Sequence, residues 1–172
     1  IKLGIGLVND VRAFTREGAL DVIKESSAAL CIMHMQGRPD TMQAQPEYES
    51  VTQEVLCFLA DRVDELVKEG VNKERMILDP GFGFGKTLRH NMQLLNNIKL
   101  FNDMGCPVLV GLSRKSMFQE ILNKPVNERL AGGLSAAVIA AYQGAKIIRT
   151  HDVQETVDAM LVLRTMTQSL VI

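Results

Sequence analysis

The sequence predicts an α/β protein organised around a parallel sheet. Three observations carry that expectation. Short apolar runs alternate with long amphipathic runs along the 172 residues. The short runs hold few charges, as strands buried on both faces do. The long runs repeat apolar residues at steps of three and four, which is one helix face. Strands that alternate with helices are joined by right-handed crossovers, and the sheet they build is parallel.

The predicted strands are Leu3 to Val8, Leu30 to Met33, Met76 to Leu78, Pro107 to Val110, and Ala145 to Ile148. Between Glu49 and Gly70, Val51, Val55, Phe58, Leu59, Val63, Leu66 and Val67 form one helix face, and Gly70 suits the left-handed position past its end. Met92 to Asp103 repeats the pattern through Leu95, Ile98 and Phe101. A short additional helix is expected at Lys115 to Leu122, then a small-residue helix at Asn127 to Gln143 that can pack closely. Asp152, with Glu155 three residues on, resembles a capping box opening a last helix through Val157, Met160 and Leu161. Two architectures fit this order of β-α units. One is an open doubly wound sheet. The other is part of a (β/α)₈ barrel, which typically needs about 250 residues.

Composition narrows the function classes. Hydrophobic residues are 47%, charged residues 23%, and the formal net charge is −1, which excludes a disordered chain and a polybasic nucleic-acid binder. No apolar run approaches the roughly 20 residues of a membrane helix. No basic-then-apolar leader opens the given residues, and a cytoplasmic location is the expectation. Cys31, Cys57 and Cys106 form no paired or zinc-ligand spacing, so buried, inert thiols in a reducing compartment are expected.

Ligands of either fold bind at the carboxyl ends of the strands. Those ends deliver Asn9-Asp10, Met33-His34-Met35-Gln36-Gly37, Asp79 through Lys86, Gly111 through Ser116, and Arg149-Thr150-His151-Asp152. Five ends carrying hydrogen-bonding and ionisable groups make this rim the candidate site. The third loop is neither a phosphate loop nor a dinucleotide loop. Pro80 stands where a Walker A motif needs its first glycine, and Lys86 stands where a dinucleotide fingerprint needs its third. Asp79 ends an apolar strand, where a carboxylate must be paired. It is either a structural cap or ion pair, or the acceptor of two parallel N–H bonds from an aminopyrimidine-like ring. Asn9 could read another edge of such a ring. Ser113, Arg114 and Lys115, before a short helix, and Arg149 and His151, before another, suit an anionic ligand. His34 and His90 lack metal-ligand spacing and read as structural. Met33 and Met35 alternate, so one faces the core and one the pocket.

These five motifs, in this order and spacing, resemble the bacterial dihydropteroate synthase family over the whole chain. The resemblance implies a (β/α)₈ barrel, of which residues 1–172 are a single pterin-binding domain of about five β-α units. It implies condensation of 6-hydroxymethyl-7,8-dihydropterin pyrophosphate with p-aminobenzoate, with Mg²⁺ and without nucleic acid or membrane as partners. Asn9, Met33, Asp79, Phe84, Gly111, Lys115 and Arg149 would form the pterin pocket. Ser113, Lys115 and Phe84 would meet p-aminobenzoate, and Arg149 and His151 the leaving pyrophosphate. Asp79, Lys115, Arg149 and His151 would carry the chemistry.

The aligned pattern begins at the family's fourth strand, so an N-terminally truncated barrel is expected. The family's earlier loops supply a second pterin-binding aspartate, the loop that organises Mg²⁺, and the lid over p-aminobenzoate. No metal ligand is therefore assigned in this chain. A homodimer is expected, through Asn127 to Gln143 or Asp152 to Thr167. Two other readings are a methyltetrahydrofolate-type pterin methyltransferase barrel, and an inactive fragment or binding module with unpaired strand edges prone to aggregation.

Overall fold

A computed structural model of the chain describes residues 4–37 and 46–169. The strands are β1 (Leu7–Asp10), β2 (Ala29–Met33), β3 (Met76–Asp79), β4 (Leu109–Val110) and β5 (Ile147–Ile148). The helices are α1 (Ala19–Lys24), α2 (Val51–Lys68), α3 (Leu88–Asn96), α4 (Ile98–Asn102), α5 (Met117–Leu122), α6 (Leu130–Tyr142) and α7 (Val153–Ser169). Single 3₁₀ turns at Lys73–Arg75 and Val126–Glu128 precede β3 and α6.

All strand pairs are parallel. β2 lies between β1 and β3, and β4 pairs with β5. A parallel bridge between Leu78 and Val108 joins the two sheets, with Leu78 N–H donating to the Pro107 carbonyl at 2.9 Å. The spatial order is therefore the sequence order. A doubly wound sheet must reverse its direction of travel at a switch point; this one never does. The arc, five strands among the described residues, is that of part of a (β/α)₈ barrel, and the open-sheet alternative is excluded.

The core lies between this arc and the helices. α2 buries Val51, Val55, Leu59, Val63 and Leu66 on one face. α4 adds Ile98 and Phe101, both fully buried. Truncating such a side chain costs about 2–5 kcal/mol. α6 packs as closely as its composition predicts: a Cβ on Gly132 would lie 2.8 Å from the Phe118 ring of α5. α7 is different, with Val157, Leu161, Val162 and Met166 exposed.

Several boundaries move. The first strand is Leu7–Asp10 rather than Leu3 to Val8, and Leu3 lies outside the described residues. Gly4 takes the left-handed conformation at φ 75°, and β2 offers partners only to Leu7 onward. Asn9 and Asp10 thus belong to the strand. Met92 to Asp103 is two helices, because Asn97 leaves the helical region and its side chain bonds back to the Gln93 carbonyl at 2.7 Å. The first of them starts at Leu88, where Thr87 and His90 form a capping box. The expected box at Asp152 and Glu155 does not form, since the Asp152 carboxylate bonds Arg114 and Ser113 instead. The short helix begins at Met117, so Ser113 to Lys115 form a turn ahead of it. Cys31 and Cys106 are buried, but Cys57 is exposed on α2.

Candidate active site

β3 ends on Asp79, which is opposite Met33 of β2 and 1% exposed. Its Oδ1 accepts the Gly81 N–H at 2.8 Å, and its Oδ2 accepts from Arg149 Nη2 at 3.3 Å. Burial pushes this carboxyl above its ordinary value; the Gly81 N–H and the charges of Arg149, Lys115 and Lys86 pull it back. Arg149 reaches Asp79 from β5 by crossing the end of β4. The crossing requires Gly111, because a Cβ there would stand 2.8 Å from Arg149 Nη2.

The loop after Asp79 is built by close approach. Gly81 has φ 71°, and a Cβ on it would stand 1.8 Å from the His34 carbonyl oxygen. Gly83 donates its N–H to Asn91 Oδ1 at 2.8 Å. Phe82 turns into the core, while Phe84 stays half-buried with the Lys115 ammonium 4.3 Å above its ring centroid. That cation–π pair sets the ring and amine as one surface. Burial also lowers the Lys115 ammonium below its usual value, against the pull of Asp79.

A second cluster sits beside the first. Ser113 Oγ accepts the His151 backbone N–H at 3.2 Å and lies 3.1 Å from His151 Nδ1. It also donates to Asp152 Oδ2 at 3.3 Å. Arg114, in the left-handed region at φ 61°, forks onto Asp152 with its shorter bond at 2.5 Å. This bond holds the Asp152 carboxyl below its ordinary value.

Of the sequence-predicted residues, Met33, Asp79, Phe84, Gly111, Lys115 and Arg149 converge, and Ser113 and His151 form the adjoining pair. Asn9 stands two strands away from Asp79. Its register partner is Cys31, and Cys31, Met33 and Asp79 fall on one sheet face by the two-residue period of strands. Of the two methionines flanking His34, Met33 is 1% exposed and Met35 half-buried.

Sequence reasoning missed four residues. Cys31 lies on the Asp79 face, and its thiol is pushed up to about 12 by burial and by Asp79. Lys86 is 3% exposed beneath the Asp79 loop. Asn91 bonds the carbonyls of Lys86 and Thr87 at 3.2 and 2.8 Å. Arg129, 7% exposed, donates to the carbonyls of Lys124, Arg114 and Lys115 and to Gln119 Oε1. Only Lys86 left a trace in the sequence, as the residue closing the glycine loop.

Among the described residues, no group of three or more His, Cys, Asp or Glu is placed to hold a metal ion. Of the rim carboxylates, Asp79 and Asp152 are engaged by arginines and Asp10 by the N–H groups of Arg12 and Phe14.

The rim thus gathers, at one end of a parallel barrel sheet, a buried carboxylate, an aromatic ring under a lysine ammonium, and the Ser113–His151 pair. The description of the pterin binding enzyme family matches residues 1–151. The chain belongs to that family. It is 50% identical over 160 residues to the dihydropteroate synthase of Haemophilus influenzae, covering 93% of this chain and 58% of that relative. It superposes with a TM-score of 0.95 and 42% identity on the Yersinia pestis dihydropteroate synthase solved with a sulfonamide drug, covering 98% of this chain and 61% of that one. It superposes with a TM-score of 0.90 and 38% identity on the Xanthomonas albilineans enzyme solved with 7,8-dihydropteroate, covering 96% of this chain and 61% of that one. The chain spans about three-fifths of the length of the relatives it matches. Among the described residues, no helix is long and apolar enough to cross a membrane.

Proposed function

We propose that this chain forms the pterin-holding part of a dihydropteroate synthase, a transferase of folate biosynthesis. The observation that carries the proposal is the buried Asp79 carboxylate, fixed by the Gly81 N–H and Arg149 on the rim shared with Phe84 and Lys115. Each carboxylate oxygen can accept a second hydrogen bond after its first. Asp79 can therefore take the 2-amino group and neighbouring ring nitrogen of a pterin without losing its supports. Lys115 would meet the carbonyl edge of the ring. The product bound by the Xanthomonas relative supports the same product here.

In the reaction, the bond between the pterin methylene carbon and the pyrophosphate oxygen breaks, and its electron pair leaves with pyrophosphate. Arg149 and His151 would hold those leaving oxygens. The positive charge left on the methylene spreads into the ring, where the Asp79 carboxylate stabilises it. The neutral amine of p-aminobenzoate then forms the C–N bond and releases one proton. Phe84 and Lys115 would line its approach, and Ser113 would lie near its carboxylate. The Mg²⁺ expected from the resemblance is placed by this proposal with the substrate pyrophosphate. The proposal also includes a cytoplasmic homodimer. The free cysteines support the location, and the apolar residues exposed on α6 (Ile139, Tyr142) and α7 support the dimer.

The test is turnover of the intact gene product with the pterin pyrophosphate and p-aminobenzoate. Dihydropteroate formation is expected, with a loss of roughly 100- to 1,000-fold in Asp79→Asn. Absence of dihydropteroate with the unaltered protein overturns the proposal, and methyl transfer from methyltetrahydrofolate would put a methyltransferase in its place.

A further inference from the structure

Lys86 closes the glycine loop and then turns its side chain back beneath it. Its ammonium has three hydrogens. Three acceptors surround it: His34 Nδ1 at 2.9 Å, the Gly81 carbonyl at 3.0 Å and the Phe84 carbonyl at 3.0 Å. The His34 carbonyl follows at 3.5 Å. One buried cation thus joins the end of β2 to both limbs of the β3–α3 loop. A methionine would fill similar volume without the cost of burying a charge. The Phe84 carbonyl would then lose the Lys86 donor, and the Gly81 carbonyl would keep only the Phe84 N–H at 3.1 Å.

The titratable groups around Lys86 are His34 at the end of β2, Asp79 at the end of β3, His90 in the first turn of α3, and Lys115 in the turn before α5. Burial lowers the Lys86 ammonium to about 7, opposed by Asp79. His34 is lowered to about 3 by burial and by the Lys86 charge. A histidine so lowered is neutral at ordinary pH and accepts through Nδ1, which leaves its proton on Nε2. Its ring packs edge-on against Phe58, with centroids 5.0 Å apart. Asp79 in turn feels the Lys86 charge as one of those holding it ionised.

We propose that Lys86 is a positioning residue of the pterin pocket. It holds the Phe84 turn against the end of β2 and supplies a buried positive charge that acts on Asp79. This inference rests on the pterin reading of the site.

The experiment compares Lys86→Met and Lys86→Arg with the unaltered intact gene product. It reads kcat, the KM for each substrate, the pH profile of kcat/KM, and folding by circular dichroism. Lys86→Met is expected to raise the pterin KM about tenfold, and the p-aminobenzoate KM by no more than about threefold. Removing the charge also raises the Asp79 pKa, so the acid limb of the profile moves to higher pH. Lys86→Arg keeps the charge, and its acid limb stays in place. A folded Lys86→Met with unaltered kinetics overturns the inference. So does a uniform rise in both KM values with an unmoved limb. Failure of both variants to fold also overturns it, since the residue is then structural alone. An unaltered protein without turnover counts instead against the pterin reading itself.

Discussion

The two loops that carry most of the candidate site are braced in opposite ways. The loop from Asp79 to Lys86 is held from beneath by a buried ammonium, and its backbone touches the end of β2. The turn from Ser113 to Ser116 is held from the side by Arg114 and Asp152, an ion pair that faces solvent, and from below by Arg129. A buried brace cannot be exchanged for water, and its loss leaves unpartnered carbonyls. A solvent-facing ion pair is screened, and water replaces either partner. The contrast assigns rigidity to the ring-holding side of the pocket and give to the side proposed to receive p-aminobenzoate.

Gly81→Ala tests the rigid side and should show the largest effect on stability. The new methyl group would sit 1.8 Å from the His34 carbonyl oxygen, on a backbone at φ 71°. Backbone cannot move aside as a side chain can, so a loss of about 3 kcal/mol or more is expected in urea denaturation. A loss below about 1 kcal/mol would mean that this loop can slide over β2, and the contrast would fail.

Arg129→Met tests the lower brace of the second turn. Arg129 is nearly buried, and its guanidinium serves three carbonyls and Gln119. Truncation takes this donor from the Lys124 and Arg114 carbonyls and from Gln119, while the Lys115 carbonyl keeps the Phe118 N–H, for an expected loss of about 2–4 kcal/mol. The turn carries Ser113 and Lys115, so kcat should fall further than the KM for pterin rises. If only stability changes, Arg129 supports α5 and α6 rather than the site.

The same contrast explains what could be read from the sequence. Strand ends could be read because apolar runs stop where polar groups begin, and Asp79, Lys115 and Arg149 lie at those stops. The closing of Gly111 under Arg149 left no local pattern, since it depends on an arginine 38 residues later crossing β4. Arg129 was invisible for the same reason, and Lys86 showed only as the residue that closes the glycine loop, not as its brace. A buried cation looks like any solvated lysine or arginine until the carbonyls around it are placed. Asp152 misled in the opposite direction. Its spacing to Glu155 fits a capping box, but a tertiary partner, Arg114, claimed the carboxylate. The order of the strands was likewise undecidable from periodicity, because singly and doubly wound sheets share one alternating pattern. Register between distant segments separated them.

The smallest effect is expected at Arg114→Gly, where two changes oppose each other. The substitution removes the ion pair with Asp152 and leaves Ser113 as that carboxylate's remaining side-chain donor. It also places glycine at φ 61°, a conformation that costs an arginine strain and glycine almost nothing. The pair faces solvent, so its loss is partly made good by water. The melting temperature is therefore expected to shift by less than about 2 °C. The unaltered protein should also lose little stability in high salt, because the buried braces are shielded from it. A large drop for Arg114→Gly, matched by a similar drop of the unaltered protein in salt, would show that the exposed pair is a main support. The second turn would then be as fixed as the first, and entry of p-aminobenzoate would need another element to move.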